Sequence, residues 1–235
     1  MAKAIYDYWF VQFDFPNDVG KPYKSSGGEM VYNDILKRKI PKGWEVKNLL
    51  TISDLLGGGT PSTINKDYWN GKIPFFTPTD ANESIYAIKT IQSITEKGVK
   101  ESSTKIFEKG TIFLTARGSV GKVMIASKTM AMNQSCYALK SKNEHYIFLY
   151  FCTLNAIGYL KAKSSGSIFN AIVSNDIKYT PVIIPDQGIR TRFNQKLSSH
   201  FERILNNLEQ NQELATLRDW LLPMLMNGQV TVNKL

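Results

Sequence analysis

Cysteine is scarce in this chain: two in 235 residues, Cys136 and Cys152. They form no CxxC pair and no cluster with histidine, which excludes a disulfide scaffold and a zinc module. Histidine is as scarce: His145 and His200 fall in separate expected helices without ligand spacing, so no metal site is expected. No apolar run approaches the ~18 residues of a membrane span. The opening Met1-Ala2-Lys3-Ala4-Ile5-Tyr6-Asp7 has an acid and aromatics where a signal peptide has its apolar stretch. Together with so little cysteine, this leads to the expectation of a soluble protein in the reducing cytoplasm.

Catalytic signatures are missing too. Arg117-Gly118-Ser119-Val120-Gly121-Lys122 has two residues between its glycines and Val123 after its lysine, against the GxxxxGKS/T spacing of a phosphate loop. Gly57-Gly58-Gly59 runs into Thr60-Pro61-Ser62, a turn rather than the helix opening of a dinucleotide site. There is no Cys–His pair, no GxSxG elbow and no paired carboxylates at metal-ligand spacing, which disfavours a nuclease. The glycine-rich cofactor loop and Pro-Pro-Tyr/Phe base pocket of an adenine methyltransferase are also absent. A non-catalytic protein without a cofactor is expected.

What the chain does have is a packable core and an uneven charge. Hydrophobic residues make up 43% and charged residues 21%, with a net charge of +9. Residues 117–178 carry eight bases (Arg117, Lys122, Lys128, Lys140, Lys142, Lys161, Lys163, Lys178) against two acids, Glu144 and Asp176. A concentrated basic surface is the footprint of a polyanion-binding protein, because each neutralised phosphate releases counterions. The plainer reading is that these lysines only solubilise one half of a domain.

Periodicity divides the chain into four parts. Residues 1–40 read as the end of a helix, closed by Pro16, and a turn-rich connecting segment. Residues 41–187 alternate short β-branched or aromatic runs with turns. Expected strands are Ile73–Thr77, Thr111–Ala116, Val123–Ala126, Ser135–Leu139 and Thr180–Ile184. Within this part Glu144–Leu160 reads as a helix with Ile147, Tyr150, Phe151, Leu154 and Ile157 on one face. Such a mixture indicates an α+β domain rather than a regular βαβ series.

Residues 188–222 read as one long helix of about 50 Å at 1.5 Å per residue, and 223–235 as a tail. Leu197, Phe201, Ile204 and Leu208 step by 4, 3 and 4, an a/d seam that calls for a partner helix. Leu214, Leu217 and Leu221 continue an apolar stripe shifted by one position. Finally, Met1–Val11 can be laid over Gln212–Leu222, with Ala4 on Ala215 and Trp9 on Trp220. Read as a repeat, this makes the chain one period of a tandem protein bounded inside its helices.

Recognition chemistry is plentiful in the loops Gly57–Thr63, Thr77–Asn82, Arg117–Lys122, Asn133–Ser135 and Lys161–Asn170. Arg addresses guanine and Asn or Gln addresses adenine, while Ser, Thr and Lys hold phosphates. The expected DNA contacts are Arg117, Lys122, Asn133, Gln134, Lys161, Lys163 and Ser165. A protein-interaction scaffold, with the aromatics around Trp9 and Trp220 as its docking surface, is the alternative reading.

Several stretches then resemble type I restriction–modification specificity subunits. Tyr6–Pro16 followed by Gly20–Gly28 resembles their inter-domain segment. Gly58-Gly59-Thr60-Pro61-Ser62 with Tyr68–Pro74 resembles the opening of a target recognition domain, as do Lys109–Thr111, Ala116–Gly121 and Asn133-Gln134. Leu217–Val230 resembles the end of the distal spacer helix. Val182-Ile183-Ile184-Pro185-Asp186-Gln187 departs from the usual Pro-Leu-Pro-Glu-Gln ending, with Asp in place of Glu. The resemblance implies one target recognition domain and one spacer helix, a half-subunit. It further implies binding to double-stranded DNA, modification subunits bringing methyl transfer, and a restriction subunit bringing ATP-driven translocation and cleavage. Two copies pairing through Leu197, Phe201, Ile204 and Leu208 would form a homodimer in an antiparallel coiled coil.

Overall fold

The computed structural model describes residues 1–163 and 170–230. Its first elements are α1 (Ala2–Tyr6), β1 (Met30–Asn33), β2 (Arg38–Pro41), β3 (Glu45–Lys47), β4 (Ser53–Gly57), β5 (Trp69–Phe76), β6 (Tyr86–Ala87), β7 (Gln92–Ile94) and α2 (Glu96–Lys100). Then come β8 (Ile106–Phe107), β9 (Ile112–Thr115), β10 (Val123–Ala126), β11 (Met130–Met132), β12 (Cys136–Ser141), α3 (Tyr146–Lys163), α4 (Ser174–Tyr179), β13 (Val182–Ile184) and α5 (Gln187–Met226). The chain divides into two compact units, Met1–Ser198 and Ser199–Leu235. No helix among the described residues is long and apolar enough to cross a membrane.

Two sheets make the body of the first unit. One has the order β4-β12-β9-β10-β6, antiparallel except where β10 meets β6. The other has the order β7-β5-β11-β8, with β5 and β11 parallel. Side chains alternate along a strand, so Phe113, Met124 and Ala138, which are cross-strand partners, share one face. That face joins Phe76, Phe107, Met130 and Met132 from the second sheet in one cluster. On the helix side α3 packs on β9, β10 and β12. Covered on both faces, β9, β10 and β11 are buried at every position, which explains their unbroken apolar runs.

Two elements differ from the sequence expectation in instructive ways. One apolar face was expected on α3, yet nine residues between Ile147 and Ile157 are buried. The reason is a second cover. Residues 1–15, expected as the end of a helix ahead of a connecting segment, are built into the first unit and lay Tyr6, Trp9 and Phe10 against α3 and the start of α5. Phe193 is the hub, its ring 4.9 Å from Phe10, 5.6 Å from Trp9 and 5.9 Å from Tyr6. Tyr6 stacks on Phe151 at 5.1 Å, and Phe10 lies 4.9 Å from Phe148 and 5.8 Å from Trp44. The opening helix ends earlier than Pro16. After α1 the chain makes one π-helical turn, Asp7–Val11, and stops at Phe13, whose φ of 68° puts it in the left-handed region.

The long helix α5 runs one turn past Pro223, which lacks a donor but keeps a helical φ. It stops where Gly228 takes a φ of 68° and Gln229 donates its N–H to the Met224 carbonyl. Its buried apolar residues Ile189, Phe193, Leu197, Phe201 and Leu205 step by four throughout. This is an i, i+4 ridge within the chain, distinct from the 4–3 seam expected to meet a partner helix. Ile204 and Leu208 leave the ridge and are only half-buried.

Candidate nucleic-acid interface

The strand directions place the expected recognition loops together. β12 runs antiparallel to both β9 and β4, so the start of β12 lies beside the ends of those two strands. The loops after β4 and β9 and the loop before β12 therefore share one end of the first sheet. The second sheet is joined to that end by Asn133–Ser135, which leads from β11 into β12. Asn133 donates its N–H to the carbonyl of Phe76, at the end of β5, over 3.0 Å.

These loops are bonded to one another. Gly59 donates its N–H to the Met132 carbonyl at 3.0 Å. A Cβ on Gly58 would lie 2.2 Å from the Asn133 carbonyl oxygen, so only glycine lets the two backbones meet there. Thr60 donates its hydroxyl to the Gln134 side-chain oxygen. Ala116 and Arg117 donate their N–H groups to the Ser135 carbonyl at 2.9 and 3.2 Å, and Asn133 Oδ1 accepts the Ser135 N–H at 3.1 Å. Gly118, with a φ of 75°, turns the β9–β10 loop against Pro78. The Asp80 carboxylate accepts the Thr77 N–H and hydroxyl, both at 2.8 Å, and the Ile91 N–H at 2.7 Å. Arg117–Lys122 is thus a strand-to-strand turn, which explains why it fails as a phosphate loop.

The last turn of α3 reaches the same rim. Gly121 lies against Ile157 and Lys161: a Cβ there would be 3.0 and 2.8 Å from their side chains. Lys122 pairs with Glu83, a partner 39 positions away that no local sequence signal reveals. The hydrogen bond and charge of Lys122 hold the Glu83 carboxyl below its usual range, with a smaller contribution from the charge of Lys161. Beyond residues 164–169, the Ile172 N–H returns to the Ala116 carbonyl at 2.9 Å.

Of the seven residues expected to touch DNA, six are described. Arg117, Gln134, Lys161 and Lys163 are exposed, while Lys122 and Asn133 are partly covered. Arg117, Lys122, Asn133, Gln134 and Lys161 fall on the rim, and Lys163 ends the helix that reaches it. Ser165 lies outside the described residues. The basic segment as a whole does not form one patch. Lys140 pairs with Glu108 at 2.8 Å, and Lys142 lies 3.8 Å from Asp54, both at the far end of the sheet. There they line a cleft of about 480 Å³ with Lys109 and Tyr146. Charge counted along the chain merged two opposite ends because the β-meander carries it back and forth.

Neither cysteine has reactive character: burial pushes both the Cys136 and Cys152 thiols up to about 12. Among the described residues no group of three or more His, Cys, Asp or Glu is placed to hold a metal.

The rim is thus a set of hydrogen-bonded polar loops at one end of two joined sheets. Comparison with known proteins places the chain in a family. Residues 41–217 match the model of the type I restriction modification DNA specificity domain. The specificity subunit of the type I restriction enzyme MjaIX from Methanocaldococcus jannaschii is 39% identical over 184 residues, 76% of this chain and 43% of that protein. The HindI specificity subunit from Haemophilus influenzae is 28% identical over 81% of this chain and 42% of its own length. The crystal structure of the HsdS subunit from Thermoanaerobacter tengcongensis aligns with a TM-score of 0.50 at 18% identity, covering 82% of this chain and 47% of that one, a likeness of fold. The chain belongs to the type I restriction modification DNA specificity domain family. It spans less than half the length of the curated relatives it matches.

Proposed function

We propose that this chain is a non-catalytic DNA-recognition subunit of a type I restriction–modification enzyme, reading one half of a bipartite site with the rim described above. The observation that carries this reading is the convergence of four separate loops and the last turn of α3 on one end of two joined sheets. Such a rim suits direct readout, since hydrogen bonds among the loops hold Arg117, Asn133 and Gln134 at fixed mutual positions. Lys161 and Lys163 serve the phosphates, and Lys122 does so after exchanging Glu83 for a phosphate. Modification subunits supply methyl transfer and a restriction subunit supplies ATP-driven cleavage; this chain supplies the address, in the cytoplasm.

A contact test follows for the rim. Arg117→Ala is expected to cost about 1–3 kcal/mol against the cognate duplex and to relax the preference at one base pair. Lys163→Ala should weaken all duplexes alike and flatten the salt dependence by about one unit. Titration against cognate and scrambled duplexes over a salt series separates the two. An Arg117→Ala chain with unchanged affinity and preference would remove that residue from the interface.

The second half of the site is supplied, on this reading, by a second copy. Two α5 helices pair antiparallel as a coiled coil and set the half-site spacing. Leu197 and Phe201 are fully buried already, so the pairing rests on Ile204 and Leu208. A two-fold dimer reads a symmetric, interrupted site. Random-sequence DNA treated with this chain and modification subunits should therefore carry methylated bases in a symmetric two-part motif. With Ile204→Lys and Leu208→Lys together, the chain should sediment as a monomer and the motif should disappear. An asymmetric motif would show that the partner is a different half-subunit, and a dimer that survives both changes would refute the seam.

A further inference from the structure

The end of α5 repeats a pattern that the structure buries at its other occurrence. In the overlay of Met1–Val11 on Gln212–Leu222, extended by two residues, Tyr6, Trp9, Phe10 and Phe13 correspond to Leu217, Trp220, Leu221 and Met224. Both sets have i, i+3, i+4, i+7 spacing, one face of a helix. The first set is buried to 5% exposure or less in an aromatic cradle made by Trp44, Phe148, Phe151 and Phe193. The second set is largely uncovered: Leu217 is 48% and Trp220 58% exposed, Leu214 beside them 62%, and Leu221 and Met224 are half-buried. A helix bearing this stripe in water leaves apolar area uncovered where the cradle covers the first set.

We propose that the Leu217–Trp220–Leu221 stripe is a second docking segment whose receptor is the Trp44–Phe148–Phe151–Phe193 cradle of a second copy of this chain, entered by exchange with that copy's own Met1–Val11. The proposal rests on the dimer reading above and assigns it a second contact. The exchange is chemically close to balanced. The resident segment contributes the Tyr6 hydroxyl, which accepts from Asn155 at 3.3 Å, a bond that Leu217 cannot make. Against this, the resident segment leaves the cradle through Phe13 at a φ of 68°, where a bulky side chain is strained. The overlay puts Met224 on Phe13, and Met224 is still within α5, so the incoming segment needs no left-handed residue there. In a two-fold dimer each copy offers one stripe and one cradle, so the two exchanges close on themselves.

The test uses the full chain with the photoreactive aromatic p-benzoylphenylalanine in place of Trp220, mixed with an isotopically heavy wild-type copy. Irradiation is expected to give light–heavy crosslinks to α3 peptides containing Phe148 or Phe151, or to the Phe193 peptide. Crosslinks confined to other surfaces, or none at concentrations where the chain is dimeric, overturn the proposal while leaving the seam dimer standing. A chain that is monomeric throughout overturns both. The sign of a second measurement is equally diagnostic. Trp9→Ala loosens the resident segment and should tighten dimerisation about tenfold, with Trp220→Ala reversing the gain. A Trp9→Ala chain that dimerises no more tightly than wild type, or whose gain survives Trp220→Ala, contradicts the exchange.

Discussion

Gly58→Ala will dismantle the rim while Gly57→Ala, one residue earlier, will leave it intact. The new Cβ at 58 would stand 2.2 Å from the Asn133 oxygen and 2.4 Å from the Met132 oxygen, both backbone atoms that no rotamer change can move aside. A Cβ at Gly57 meets nothing within 4 Å. To accept the methyl at 58, the loop after β4 must part from Asn133, which removes the Gly59 to Met132 hydrogen bond and pulls Thr60 from Gln134. Overpacking of this kind costs about 1–3 kcal/mol of stability. On the proposed reading the larger effect is on recognition: Asn133 and Gln134 leave their positions, and each misplaced reader would forfeit about 1–3 kcal/mol of discrimination. Urea unfolding gives the first quantity, and competition between cognate and scrambled duplexes gives the second. Equal behaviour of the two alanine variants would show that the contact is not a constraint in solution.

Phe193→Ala should be the most destabilising single truncation in the aromatic cradle, at about 3–5 kcal/mol. The side chain has no exposed surface, and its ring lies within 6.4 Å of those of Tyr6, Trp9, Phe10, Phe148 and Phe151. Its removal leaves a cavity walled by large rings that cannot collapse independently, because each is also packed on another. Phe193→Leu should recover roughly half of the loss, since most of the apolar volume returns. Thermal and urea melts of the pair measure this. If Phe193→Ala costs under about 1 kcal/mol, a substitution effect typical of exposed sites, the opening segment is not packed on the domain in solution.

Much of the architecture was legible because it follows from local pattern. The strand Val123–Ala126 appears with the bounds the sequence suggests, and Thr111–Ala116 loses one residue at each end. What was not legible is long-range. The apolar residues of α3 outside its expected face, such as Phe148 and Cys152, reflect a cover contributed from Tyr6 and Phe10, well over a hundred positions away. On α5 the spacing shows Leu197 and Phe201, but not that Leu205 continues their buried row within the chain beside the seam expected to meet a partner, because short-range spacing admits both rows. On the rim, loop composition pointed to Arg117, Asn133 and Gln134 without showing that Gly58, Thr60 and Glu83 hold or oppose them. Glycine-rich turns and a lone glutamate carry no sequence mark of their distant partners.

The pairing of Lys122 with Glu83 has a consequence for how such a protein would find its site. On the proposed reading, a phosphate that engages Lys122 competes with a carboxylate that is already in place, so the contact on arbitrary DNA would yield less net attraction. Affinity for random duplex depends on such phosphate contacts, and restraining one of them shortens each visit to a wrong stretch. A genome presents an enormous excess of wrong stretches, and the time lost on them limits the search. On that reading the acid on the rim would work as a release mechanism, shortening each unproductive stop.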